Sequence, residues 1–346
     1  MTAASAPLLS VRDLDVMYLG LTDEQNVKAC SDIDLEIHRG EILGIAGESA
    51  SGKSTLLTAI TRLQNPPAVT PKGEVVLYDD RHPEGIDLVQ ADERQLRAFR
   101  WSDISIVMQS AMACLNPVTR LVTQFADTLR AHQPRISRAE IRERTAELLE
   151  MVGIAPGAMD KFAHELSGGM RQRALIALAL ACNPDLIVMD EPTTAVDVVM
   201  QRQILTHILR LQKEFGFAVI FVTHDLSLLL EMADRIAIMY AGRIVEIGPA
   251  RTIADDPQHP YTQGLRNSFP SLREPRRVRH GIPGSPPDLR MLPSGCAFRP
   301  RCSEAIERCA AERPELNDLA VSRAACHVRA EERARDEELS TTGAQR

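Results

Sequence analysis

Apolar and polar residues alternate over 8–18, 33–37 and 73–78, which predicts half-buried strands of an antiparallel layer. Four other runs, 42–46, 104–108, 186–189 and 218–222, are almost wholly apolar and read as parallel strands buried on both faces. Elsewhere the period lengthens to that of a helix. Residues 56–63 and 169–182 are helix-compatible, and 138–152 sets Ile141, Leu148, Leu149 and Val152 on one face with charges on the other. Two short runs, 236–240 and 243–247, flank Ala241 and Gly242 and predict a hairpin. Strands alternating with helical stretches predict an α/β class.

Three of these segments end in reactive groups. The string GESASGKST at 47–55 follows the strand at 42–46 and leads into a helix, the arrangement of a P-loop NTPase core. Backbone N–H groups and the positive helix end then face a β-phosphate. Gly47 and Gly52 leave room for the phosphates, Lys53 supplies a point charge, Ser54 offers a hydroxyl to Mg²⁺, and Ser49, Ser51 and Thr55 complete the ATP-binding set. The run DLIVMDE at 185–191 delivers two carboxylates to a strand end. Asp190 is expected to hold Mg²⁺ through water and Glu191 to polarise an attacking water. In LSGGM at 166–170, Ser167 is an N-cap, and Gly168 and Gly169 leave the helix end bare for an anion.

In this order the motifs resemble those of the ATP-binding cassette (ABC) family. The resemblance implies roles for further residues. Gln109 matches a glutamine that contacts Mg²⁺ and the water, His224 a histidine that touches the γ-phosphate, Asp197 an aspartate at a dimer seam, and Tyr18 an aromatic that stacks on adenine. It also implies that Ser167, Gly168 and Gly169 serve the ATP of a second, facing cassette, and that 110–166 is a helical subdomain between core segments 1–109 and 167–256. Two cassettes would close on two ATP molecules, and hydrolysis would reopen them.

Composition narrows the setting. With 40 basic and 47 acidic residues the net charge is −7, and no basic stripe interleaved with aromatics is present, which speaks against a nucleic-acid partner. No apolar run reaches the ~18 residues a membrane helix needs. The first ten residues lack the charged start and apolar core of a signal peptide. A peripheral protein on the cytoplasmic face of the cell membrane, held there by protein partners, is the expectation. Chromosome-maintenance ATPases with related cassettes carry a long coiled coil between the phosphate loop and the acidic strand, and translation-associated ABC factors carry two cassettes; neither pattern is present.

The last ninety residues differ in character. Pro283, Pro286, Pro287 and Pro293 predict irregular chain, and 331–346 is polar enough to predict a disordered tail. Cys296, Cys302, Cys309 and Cys326, spaced C-x5-C-x6-C-x16-C, form a small module poor in apolar residues. In a reducing compartment four thiols suit a tetrahedral Zn²⁺ or a 4Fe-4S cluster, and the spacing does not choose. Together with His259-Pro260-Tyr261-Thr262, the tail at 257–330 resembles the C-terminal extension of ATPase subunits of dipeptide and oligopeptide permeases, also found in nickel importers. That resemblance implies a 4Fe-4S cluster, a homologous second ATPase subunit (or a second copy), two transmembrane subunits and an external solute-binding protein, with peptides as cargo or, alternatively, another small solute such as nickel chelates. Since the module lies far along the chain from the nucleotide motifs, a structural or assembly role and not electron transfer during transport is expected, with a redox or iron sensor regulating the ATPase as the other reading. His327 is expected to be a satisfied surface side chain, and Cys30, Cys114 and Cys182 small buried hydrophobes. Three departures from the permease pattern stand out: Ala50 in place of glycine, Ser110-Ala111 in place of Asp-Pro, and Val196 in place of leucine.

Overall fold

The computed structural model describes residues 6–109, 114–193, 197–268 and 281–343, with side chains as far as residue 335. The departures at 110–111 and 195–196 lie outside them. In chain order the elements are β1 (Leu9–Tyr18), β2 (Val27–Ile37), β3 (Ile42–Ala46), α1 (Lys53–Ile60), β4 (Ala68–Leu77), β5 (Ile86–Asp87), α2 (Glu93–Phe99) and β6 (Ile104–Val107). Helices α3 (Leu121–His132), α4 (Arg138–Met151) and α5 (Gly168–Ala179) lead to β7 (Leu186–Asp190), α6 (Val198–Phe215), β8 (Ala218–Val222), α7 (Leu226–Met232), β9 (Arg235–Tyr240) and β10 (Arg243–Pro249). The chain ends in α8 (Ala250–Asp255), α9 (Pro260–Ser268), α10 (Arg308–Ala311), β11 (Asn317–Leu319), β12 (Ser322–Ala324) and α11 (His327–Gly343).

Backbone packing divides these into two compact units. One comprises Met1–Ser10, Glu36–Ile42 and Val76–Phe221; the other Val11–Leu35, Leu43–Val75 and Val222–Arg346. In the first, β6 and β7 pair in parallel, Ile104 opposite Leu186 and Val107 opposite Met189, with β8 beyond β7. Strands β7 and β8 are buried at every position, and all their residues are apolar except Asp190, which closes β7. Helix α4 begins at a reciprocal cap between Ser137 and Glu140 and is tied to Asp160 by two 2.9 Å bonds from Arg142.

In the second unit, β2, β1 and β4 lie side by side as one layer. A mixed sheet runs β11-β12-β10-β9-β3. Strands β3 and β9 are parallel, with Ala46 opposite Ile238. The predicted hairpin joins β9 to β10, and its turn residues Ala241 and Gly242 both take positive φ, 49° and 78°.

The C-terminal residues depart from expectation. Strand β12 pairs with β10, Glu246 opposite Ala324, so the extension continues the sheet. Its own apolar residues are few, and Phe298 packs instead on Tyr240 and Tyr261, at ring separations of 5.3 and 5.4 Å. Sharing that core removes the need for a large one of its own. The stretch expected to be disordered from residue 331 is helical to Gly343, supported at its start by Arg329–Glu332 at 2.7 Å and Arg335–Glu331 at 3.9 Å. His327 is buried, not on the surface, and a ring nitrogen lies 3.0 Å from the Glu312 carbonyl. Cys30 is buried as expected, and burial followed by the charge of Asp15 pushes its thiol up to about 12. Cys182 is only partly buried and Cys114 is exposed, unlike the small hydrophobes expected there.

Candidate nucleotide site

Strand β3 ends at Ala46, and the loop that follows is shaped by backbone positions only certain residues tolerate. Gly47 (φ 157°) has the Met239 carbonyl oxygen 2.3 Å from where a Cβ would stand, and Gly52 (φ 100°) has the Ala29 carbonyl oxygen at 2.4 Å. Any side chain at either position would displace backbone. Ala50 also takes a positive φ, 61°, so the alanine replacing glycine sits in the left-handed region. Ser51 donates its N–H to Glu48 O and accepts from Gly242 N, which closes the turn.

Lys53 lies inside this loop. Its Nζ donates to Gly47 O at 2.7 Å and Glu48 O at 2.8 Å and lies 3.4 Å from Ser51 Oγ. Helix α1 starts after Gly52 with no side chain capping it, whereas α2, α4, α5, α6 and α7 are each capped by a serine or aspartate. Ser49 and Ser54 are exposed, and Thr55 is half-buried with its hydroxyl 3.2 Å from Tyr18 Oη. Tyr18 thus stands at the loop with its ring partly exposed. Thr223 N donates to Ile45 O, which brings exposed His224 to the strand end from which the loop leaves.

In the other unit, β7 delivers Asp190 buried and Glu191 half-buried at its end. Glu191 has φ 45°, a conformation that costs a non-glycine residue about 1–2 kcal/mol and recurs at functional sites. Gln109, just past β6, donates from Nε2 to Glu191 Oε2 at 2.8 Å. The two motifs, 82 residues apart, are therefore in contact. Ser167 caps α5, accepting from Met170 N at 3.3 Å, and is exposed. A Cβ on Gly169 would stand 2.7 Å from Met200 Sδ, so this glycine also admits α6. Asp197 caps α6 by accepting from Met200 N at 2.9 Å.

Glu48, Tyr261 and Arg301 escaped the sequence reading. Tyr261 Oη accepts the Glu48 N–H at 2.9 Å, and Arg301 grips the Glu48 carboxylate with both terminal nitrogens, at 2.6 and 3.0 Å. Arg301 adjoins Cys302. The cysteine-bearing segment, though distant along the chain, is thus in contact with the phosphate loop, and the sheet pairing of β12 with β10 folds the chain back. No motif marks Glu48, which occupies a variable position of the loop pattern. The adjacency of Arg301 to a cysteine was the one available signal.

The four cysteines line a single cavity of about 10 Å³, shared with His259, Phe298 and His327. Burial pushes the Cys296 and Cys326 thiols up, and raises Cys302 to about 11. Among the described residues no group of three or more His, Cys, Asp or Glu is placed to hold a metal ion.

No helix among the described residues is long and apolar enough to cross a membrane. Comparison with known proteins places the chain. Residues 30–194 match the ABC transporter family, residues 245–309 the oligopeptide/dipeptide transporter C-terminal region, and residues 161–231 a family described as AAA domain, putative AbiEii toxin, Type IV TA system. A putative peptide import ATP-binding protein of Brucella ovis is 43% identical over 319 residues, covering 90% of this chain and 93% of that one. The oligopeptide transport ATP-binding protein of Bacillus subtilis is 42% identical over 304 residues, covering 87% and 82%. A dimeric ATP-binding cassette solved in a post-hydrolysis state with ADP and phosphate superposes with a TM-score of 0.61 at 30% identity, covering 70% of this chain and 99% of that one. The chain belongs to the ABC transporter family, as an ATPase cassette that carries the oligopeptide/dipeptide C-terminal region.

Proposed function

We propose that this chain is the ATPase subunit of a peptide importer. It works as one of two facing cassettes beneath two transmembrane subunits fed by an external solute-binding protein. The observation that carries the reading is Lys53, held within a glycine-shaped loop at an uncapped helix end. The relatives named for peptide import supply the cargo class. Residues 47–55 bind the phosphates, Tyr18 stacks on the adenine, and Ser54, Gln109 and Asp190 would hold Mg²⁺, which would neutralise charge developing on the phosphates. Glu191 accepts a proton from the attacking water as the bond from the γ-phosphorus to its bridging oxygen breaks, and ADP and phosphate leave. His224 orients the γ-phosphate. Ser167, Gly168 and Gly169 meet the ATP of the facing cassette, and Asp197 lies at the seam.

The cysteine module we assign to a 4Fe-4S cluster. A single tetrahedral zinc draws its sulfurs to about 3.8 Å from one another, given Zn–S bonds of about 2.3 Å. A cluster gives each thiolate its own iron, so the sulfurs stand farther apart. Four cysteines around one cavity, in a C-terminal region of the oligopeptide/dipeptide transporter type, are what the assignment rests on.

Reconstitution with the transmembrane subunits in vesicles tests the transport reading. Dipeptides or oligopeptides, presented by the binding protein, should accumulate inside at the expense of ATP. Hydrolysis that no peptide stimulates, with no accumulation, would refute the cargo class.

A further inference from the structure

Every polar group of Glu48 is engaged. Its N–H is taken by Tyr261 Oη, its carbonyl accepts from Lys53 Nζ and Ser51 N, and its carboxylate is held bidentately by Arg301. Arg301 is itself fixed. Its side chain is 5% exposed, Nε donates to Pro283 O at 2.7 Å, and the guanidinium lies over the rings of Tyr240 and Phe298 at 5.8 and 5.9 Å. Tyr240 packs in turn on Tyr261 at 4.6 Å. The two side chains that reach Glu48 from outside the loop therefore share one aromatic cluster, and Arg301 belongs to the residues just ahead of Cys302.

Lys53 has a different part in the same turn. Two of its three donors are spent on Gly47 O and Glu48 O, so a phosphate oxygen competes for the cation that now holds the first half of the loop. Arg301 and Tyr261 hold Glu48 through its carboxylate and its N–H, not through the carbonyl that Lys53 uses, so that competition leaves their bonds in place. A planar fork on a carboxylate fixes direction as well as distance, which a lysine's point charge would not.

We propose that Arg301 is a positioning residue for nucleotide binding: acting through Glu48, it keeps the phosphate loop open when Lys53 turns to ATP, and so makes ATP affinity depend on the cysteine-bearing extension. The proposal rests on the reading of 47–55 as the ATP site.

Calorimetric titration of the full chain with Mg-ATP tests it, using R301A, R301K, E48A and the double variant R301A/E48A, with K53A as control. Losing a bidentate, buried charge pair should raise the Kd of R301A about tenfold, with R301K recovering only part of that loss. E48A should match R301A, and the double variant should be no worse than either. Turnover at saturating ATP should change less than threefold, since Arg301 touches neither the water nor the carboxylate that activates it. A folded R301A binding within twofold of wild type, or losses that multiply to about a hundredfold in the double variant, would overturn the proposal. If R301A does not fold, R301K decides, because it keeps stem and charge: an unchanged Kd rejects the role. A wild type that fails to bind Mg-ATP, or a K53A variant that binds as tightly, would instead reject the ATP site itself and this proposal with it.

Discussion

Glu246 offers a quantitative test of how the extension is anchored. Its side chain is fully buried on β10, yet it faces the start of α9, where Oε1 accepts from Gln258 N at 2.7 Å and Oε2 from His259 N at 2.9 Å. The Tyr261 N–H goes to His259 Nδ1 at 3.0 Å, and Pro260 has no N–H to satisfy. In Glu246→Ala two donors lose their acceptor, one on buried His259 and one on half-buried Gln258. At about 2 kcal/mol for each, the loss is about 4 kcal/mol, reduced to about 3 because the variant no longer buries a carboxyl group. Glu246→Gln keeps one acceptor and turns an amide toward the other N–H, so about 1–2 kcal/mol is expected.

The pH dependence has a definite sign. Burial, opposed by the bonds from Gln258 and His259, raises the Glu246 carboxyl above its ordinary value near 4.5. Below 4.5 the unfolded chain gains nothing by ionising this group, and the folded state has its full relative stability. Between 4.5 and the raised folded value the unfolded state ionises first, so this contribution falls as pH rises. Urea unfolding of wild type and Glu246→Gln from pH 4.5 to 7 should show a wild-type advantage that shrinks with rising pH. Because α9 carries Tyr261 to the loop, Glu246→Ala should also lose amide-exchange protection over α9. A Glu246→Ala stability within about 1 kcal/mol of wild type, or an advantage growing with pH, would refute the reasoning.

Ala50→Gly should stabilise the protein by about 1 kcal/mol, the relief of left-handed strain exceeding the added freedom of the unfolded chain, as thermal unfolding will report. Ser167→Arg should block hydrolysis at the facing cassette while Mg-ATP still binds at the variant's own Lys53, measured in mixtures with a partner carrying an intact signature. Protein purified without oxygen should contain about four irons and four sulfides per chain, and Cys302→Ser should lose them; one zinc and no labile sulfide would reverse the choice of metal.

The parallel strands were legible because burial on both faces leaves no polar position to obscure them, as in β7 and β8. The hairpin announced itself in Ala241-Gly242. Strand starts were not: β2 opens at Val27 and β4 at Ala68, where half-exposed positions accept lysine, threonine and proline and the alternation fades. Strands β11 and β12 are three residues each, with Asn317, Asp318 and Arg323 among them, too short and polar to carry a period. The nucleotide motifs were readable because each is local in sequence. The grip of Arg301 on Glu48 joins residues 253 positions apart, and it takes tertiary contacts such as the pairing of β12 with β10 to bring the extension to the loop.

The central claim is that this cassette hydrolyses ATP through Glu191, held by Gln109 at the end of β7. Glu191→Gln keeps the size and a hydrogen-bonding oxygen but removes the base. Steady-state phosphate release and calorimetric Mg-ATP binding, measured on the same preparation, test the claim together. Binding should stay within about threefold of wild type while turnover falls by about 10²–10⁴. A variant that binds and still turns over at the wild-type rate would contradict the account.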